Sequence, residues 1–404
     1  MSSINELLIK LITLRGPCPD ICDGTIPLGG PTGTDIVDIE TGNPTTPYPI
    51  IEPTQVPIIP TLPLILTFND INNANVLVGD ATILSDWNSF FDLPTYGNAF
   101  TGVQVIGNVV QLFGGSNIKI KPALLYNNQD GYLISIVDNA NCITSVGGDA
   151  FAYNYGLTTV DLPACTIIYG WQDSPQGDYG GFGECIALTT MNLSNLTTAG
   201  DYCFISCAAL ETINLPALTT AGNNCFALCA SLTEINLPKL TTAGNNCFYN
   251  CTVLETINLP DLTTAGNSCF ENCPSLTTVN LPDLTTAGNS CFDSCSSLLT
   301  ISLPSLTTAG SNFLSACGSL TTVDLPSLVS IGNNSLICIS ITTINMPSCT
   351  NLGPTTGDDN VFNGIAGNTI TATFNSVLET CNSGDPDGDI QYLDANNDVT
   401  ITYV

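Results

Sequence analysis

The sequence predicts a β-rich repeat solenoid with a period of 22 residues, built of short strands with 3-10 and turn segments, closed by an α/β cap at its N-terminal end and a β cap at its C-terminal end. Three observations carry that prediction. Cys203, Cys225, Cys247, Cys269 and Cys291 stand 22 residues apart. Leu-Pro recurs with the same step at Leu215, Leu237, Leu259, Leu281, Leu303 and Leu325. Within one unit, Leu210 to Ser231, the apolar residues Leu210, Ile213, Leu215 and Leu218 are spaced as they must be to point inward from a single turn of chain. A repeat this short buries its apolar side only by stacking on its neighbours.

The elements follow in chain order. Over 1–15, Ile4, Leu7, Leu8, Leu11, Ile12 and Leu14 have helical spacing, giving an amphipathic helix too short to stand alone. It either packs on its own chain or docks on a partner. Residues 16–66, rich in Pro, Gly and Thr, exclude regular helix and form an extended spacer or a strap along the folded body. Residues 67–138 read as the N-terminal cap. It contains a strand at LTFNDI, a helix from Leu84 to Leu93 with Ser85 or Asp86 as N-cap, and a hairpin in GVQVIGNVVQLFGG turning at Gly107-Asn108. The solenoid occupies 139–350 and the C-terminal cap 351–404, where DIQYLDANNDVTITYV reads as two short strands joined by an Asn-Asn turn.

The spacing L-x-x-L-x-L-x-x-L together with A-G-N-x-C-F-x-x-C, loosening to S-V-G-G-D-A-F at Ser145 to Phe151 and S-I-G-N-N at Ser330 to Asn334, resembles the BspA-like class of leucine-rich repeats. The resemblance runs from about Cys142 to Cys349. Leucine, isoleucine and phenylalanine then face inward, each worth about 1.5–3 kcal/mol on burial. Thr212 and Asn214 face outward, and Asn236, Asn258 and Asn280 repeat that position on later rungs. These columns are either a recognition face or polar ladders that favour stacked strands. Nine residues are inserted between Leu162-Pro163 and the matching Leu193, within a stretch carrying Tyr169, Trp171, Tyr179 and Phe182. Such aromatics on a polar loop serve a contact site or pack the loop on the cap. After Leu336 the repeats loosen, with Leu336 and Ile337 standing where Cys-Phe stood.

The formal net charge is −30, with five basic residues, Lys10, Arg15, Lys119, Lys121 and Lys239, against 35 acidic ones. That balance excludes nucleic acid and anionic membranes as partners, because both are held by clustered Lys and Arg. With no histidine, neither a Ser-His-Asp nor a Cys-His site can be built, and no paired acids with supporting groups suggest carboxylate catalysis. The chain reads as a binding or structural surface and not as an enzyme. No run reaches the roughly 18 apolar residues of a spanning helix, so no membrane insertion is expected. At the N-terminus Glu6 and Lys10 interrupt the apolar stretch and no small-residue cleavage site follows, so no secretory leader is read there.

Cys203, Cys225, Cys247, Cys269 and Cys291 form one column, and Cys207, Cys229, Cys251, Cys273 and Cys295 belong to a second that extends from Cys185 to Cys338. Their C-x-x-x-C spacing does not match zinc ligand pairs. They stack either as reduced buried ladders or as disulfides between rungs, and Cys18 and Cys22 are better placed for a disulfide. Asp385, Asp387 and Asp389 alternate in DPDGD, an oxygen cluster that binds Ca2+ or makes a polar turn; Asn396 stands where an EF-hand needs Glu. No other cofactor is implied.

Two functional readings result. WNSFFDLPTYGNAF (Trp87 to Phe100) and the closing segment are similar to segments of bacteriophage fibre and tail-associated proteins. That resemblance implies a virion-surface protein docked on other virion proteins through its N-terminus, self-associated or not, and displaying the repeat face to a host-surface protein or glycan. The alternative, implied by the repeat class, is a bacterial surface or secreted adhesin binding host protein or glycan.

Overall fold

The computed structural model describes residues 63–404 apart from 79–80, 92–97, 122–123, 126–131, 171–178, 354–360, 363–364, 366 and 380–387. The helix expected over 1–15, most of the strap, and Cys18 and Cys22 lie outside the described residues.

Strand β1 (Leu64–Phe68) alternates buried and half-buried residues, so Leu64, Ile65 and Leu66, which composition groups with the strap, are part of it. Strands β2 (Gly102–Ile106) and β3 (Val109–Phe113) form the expected hairpin, with Ile106 paired to Val109 and Gly107 at φ 60° in the turn. Beyond β4 (Ile118–Ile120), β5 (Leu133–Asp138) lies antiparallel to β1, which also pairs antiparallel with β3. Helix α1 (Ile71–Val78) was not expected, since its Asn-rich sequence has low helix propensity. Asp70 starts it, its Oδ1 accepting the N–H of Asn72 at 2.9 Å. Helix α2 spans Leu84–Phe90, three residues shorter than expected. Neither Ser85 nor Asp86 is its N-cap; Ile83 is, in extended conformation and without a side-chain bond. Burial selects this frame, because Trp87 is fully buried and donates Nε1–H to the Ala81 carbonyl at 2.9 Å.

From β5 and β6 (Ile143–Val146) onward the chain winds in rungs. Each rung gives a three-residue strand such as Thr212–Asn214 to one face and a two-residue strand such as Thr220–Ala221 to a second. Successive rungs pair parallel and in register, Ile213 on Ile235 and Ala221 on Ala243. The second face is one parallel sheet of ten strands from β4 to Ser330–Ile331. The third side is the Asn-x-Cys-Phe-x-x-Cys turn, whose backbone bonds run the other way: Phe226 N–H donates forward to the Cys247 carbonyl at 2.8 Å. Three walls of hydrogen bonds thus satisfy a backbone that encloses the apolar core.

Inside, Phe151, Phe182, Phe204, Phe226, Phe248, Phe270 and Phe292 stack ring on ring, with centroids 5.2–5.7 Å apart. The stack ends at Phe313, which meets Phe292 edge-on at 82° because it occupies the place of the preceding cysteine. The terminal rung also corrects the expected match: Ser335 and Leu336, not Leu336 and Ile337, replace Cys-Phe, since Leu314 N–H donates to the Ser335 carbonyl. Two residues per turn adopt left-handed backbone, Asn246 (φ 54°) and Asn250 (φ 58°) in one rung, which suits asparagine.

The closing segment is not two strands. Gly388–Asn396 is helix α3, and only Asp398–Tyr403 is a strand, parallel to Thr369–Phe374 at the end of the first face. Ile390 and Leu393 are buried at helical spacing. The Asn-Asn pair ends the helix, Asn396 and Asn397 bonding the carbonyls of Tyr392 and Leu393 at 2.7 and 2.9 Å.

Candidate functional site

The outward columns lie where the repeat predicts. Thr212, Asn214, Asn236, Asn258 and Asn280 are exposed on the three-residue strands. Asn236 Nδ2 donates to Asn214 Oδ1 at 2.8 Å, and Asn280 Nδ2 to Asn258 Oδ1 at 2.7 Å. The ladder therefore consumes part of its own polar capacity. No such bond joins Asn236 to Asn258, and a shallow cleft lined by Glu234, Asn236, Thr256 and Asn258 opens there. Beside the strands of the second face a threonine in successive rungs is likewise engaged, Thr241 Oγ1 donating to the Thr219 carbonyl at 3.0 Å, whereas on the first face such a threonine stands only in some rungs, as Thr233 and Thr277.

The aromatic stretch divides. Phe182 is fully buried in the phenylalanine stack, so it is a core ring and not a contact residue; the register with Phe204, 22 residues on, places it there. Trp171 lies outside the described residues. Tyr169 is exposed and Tyr179 half-buried, one on each side of the inserted loop. Tyr179 is fixed from both directions by Asp149, whose N–H donates to the Tyr179 carbonyl at 3.2 Å and whose Oδ1 accepts the Tyr179 N–H at 2.5 Å.

Around Tyr179 the fold gathers three tyrosines that sequence reasoning missed. Its ring meets Tyr153 edge-on at 5.1 Å and Tyr202 edge-on at 6.2 Å, and Tyr153 meets Tyr155 at 6.4 Å. All four are half-buried. Tyr153 and Tyr202 have left-handed backbone, φ 62° and 60°. A tyrosine where later rungs carry asparagine or serine was the signal for Tyr153 (Asn250, Asn272) and Tyr202 (Asn224, Asn246), whereas Tyr155 carries no such mark. Gly183 leaves room for this cluster, since a Cβ there would fall 2.7 Å from Tyr179 Cβ.

The described cysteines are free and buried. In the second column five successive thiols each donate to a phenylalanine carbonyl one rung back: Cys207 to Phe182 at 3.5 Å, Cys229 to Phe204 at 3.3 Å, Cys251 to Phe226 at 3.4 Å, Cys273 to Phe248 at 3.4 Å and Cys295 to Phe270 at 3.3 Å. Burial pushes the Cys229 and Cys273 thiols up to about 12, so neither supplies a nucleophile. The first column, Cys203, Cys225, Cys247, Cys269 and Cys291, is equally enclosed. Asp385 and Asp387 lie outside the described residues, while Asp389 is buried at the start of α3 with Oδ1 accepting the Val361 N–H at 2.9 Å. Among the described residues no helix is long and apolar enough to cross a membrane.

A family model described as the BspA type leucine rich repeat region matches residues 178–277 and 263–382. Solved structures similar to this chain include a leucine-rich-repeat protein of T. pallidum, at 21% identity over 45% of this chain and 82% of that one, with a TM-score of 0.35. A leucine-rich cell surface protein from Faecalibacterium prausnitzii is 18% identical over 75% of this chain and 86% of that one, with a TM-score of 0.38. The pneumococcal vaccine antigen PcpA is 16% identical over 72% and 78%, with a TM-score of 0.32. No curated protein matches.

Proposed function

The chain belongs to the BspA-type leucine-rich-repeat family, and from that premise we propose that it is a non-enzymatic binding protein of the bacterial cell surface or surroundings, contacting a host protein or glycan through its tyrosine cluster. The observation that carries this reading is the edge-to-face chain Tyr155, Tyr153, Tyr179, Tyr202 at the flank of the inserted loop. Tyrosines held rigid by one another offer large amphipathic area at little entropic cost, the property that marks contact hot spots. They also suit sugar rings, which present an apolar face to an aromatic ring and hydroxyls to the phenol.

The family match supports this reading ahead of the virion one. The segments that prompted the latter supply core packing, Trp87, Phe91 and Phe100 being buried in the cap and Ile390 and Leu393 under the closing strand. Recovery of the chain in purified phage particles would restore the virion reading.

The test is a screen of the purified chain on arrays of host-surface proteins and glycans, beside Tyr153→Ser/Tyr179→Ser. A ligand that binds the parent and not the variant, at equal melting temperature, supports the proposal. Equal binding by both overturns it.

A further inference from the structure

The first face ends in an open edge that is its own complement. In Asp398–Tyr403, Asp398 N–H donates to the Asn368 carbonyl at 2.9 Å, Val404 N–H donates to the Phe374 carbonyl at 3.0 Å, and the Val404 carbonyl accepts from Ser376 at 2.9 Å. Even-numbered residues therefore direct their backbone groups to the neighbouring strand. Val399 and Ile401 direct theirs away from it, and among the described residues no strand covers that side.

Edges of this kind are usually blunted by lysine, proline or a bulge. Here the register is unbroken from Thr369 on Asp398 to Phe374 on Tyr403, and the strand contains neither lysine nor proline. Side chains alternate cleanly, with Thr400 and Thr402 exposed and Val399, Ile401 and Tyr403 half-buried, the latter lining a groove against Ile390 and Asp394 of α3.

We propose that two copies of this chain join by antiparallel pairing of Asp398–Tyr403 about a two-fold axis at Ile401. The strand reads nearly the same in both directions from that residue: Thr400 falls opposite Thr402, Val399 opposite Tyr403, and Asp398 opposite Val404. Ile401, its N–H and carbonyl outward, meets its own copy in a doubly hydrogen-bonded pair. The operation keeps both α3 helices on one side of the merged sheet, so Val399 of each copy faces Tyr403 of the other across the two grooves. No charged side chains oppose each other in the strand pair. The net charge of −30 still repels at long range, so added salt strengthens the association.

The experiment is light scattering of the full chain from dilute to concentrated solution, at low and high salt. A mass rising twofold with concentration, and at lower concentration in high salt, is expected. Ile401→Pro removes an N–H that the chain itself does not use, so it keeps the fold by circular dichroism and abolishes the rise. Thr400→Lys/Thr402→Lys and Thr400→Glu/Thr402→Glu each remain monomeric, because like charges then face across the pair, and their mixture regains the doubled mass. A monomer under all conditions overturns the proposal, and so does a dimer that Ile401→Pro and the charge pairs leave intact. Ligand binding by the tyrosine cluster is read separately on monomer and is untouched by either outcome.

Discussion

The thiol of Cys251 donates to the carbonyl oxygen of Phe226 at 3.4 Å, while the ring of Phe226 stacks on that of Phe248 at 5.5 Å. One rung thereby holds the next by a polar and an apolar contact at once. The arrangement repeats along the solenoid, so sulfur and ring columns act as a single spine.

Phe248→Ala opens a ring-sized hole in that spine and is expected to destabilise the protein by about 3–5 kcal/mol. Phe248→Leu costs about 1–2 kcal/mol, since Leu314 and Leu336 already fill the same column in the last rungs. Denaturant titration of both variants checks the ranking.

Stability should fall at alkaline pH. Burial pushes the Cys165, Cys185, Cys229 and Cys273 thiols from 9.0 up to about 12. A folded value above the unfolded one means that the neutral thiols stabilise fully below pH 9 and that this contribution is lost as pH rises from 9 to 12. Each thiol then removes about 1.4 kcal/mol per pH unit. Melting temperatures measured from pH 7 to 11 should drop steeply above 9, and less steeply for Cys229→Ala.

Leu228 has left-handed backbone, φ 62°, and is exposed, where the two following rungs place Asn250 and Asn272. Leu228→Asn relieves a conformation that costs a β-carbon residue about 1–2 kcal/mol, so the variant should be more stable by about 0.5–1 kcal/mol. An unchanged or lowered denaturation midpoint would count against the assigned turn.

Gly183→Ala places a methyl against Tyr179 and should displace that ring from Tyr153. Near-ultraviolet circular dichroism should lose tyrosine signal while far-ultraviolet signal stays, and ligand affinity should fall about tenfold or more.

The solenoid was legible because its 22-residue step is written in cysteine and leucine, and in the central rungs the inward positions repeat the same or a closely similar residue. The hairpin at Gly107-Asn108 was legible for a local reason, a turn only certain residues make. Helices α1 and α3 were not, because α1 is rich in asparagine, α3 is short with only Ile390 and Leu393 buried at helical spacing, and tertiary burial of Ala74, Ile390 and Leu393 decides them. The tyrosine cluster was partly legible. Tyr179 stands beside a visible insertion, whereas Tyr153, Tyr155 and Tyr202 join it only once the rungs are stacked in register. Phe182 was misplaced for the complementary reason: the inserted residues end before Tyr179, and the repeat has already resumed.

The measurement that bears most directly on the binding site is the ratio of Kd values for one ligand across two variants. Tyr179→Ala should weaken binding about 30-fold, equivalent to the roughly 2 kcal/mol of a hot-spot aromatic, while Asn236→Ala on the exposed ladder changes it less than about twofold. A large loss at Asn236 with none at Tyr179 would move recognition to the strand face and contradict the account.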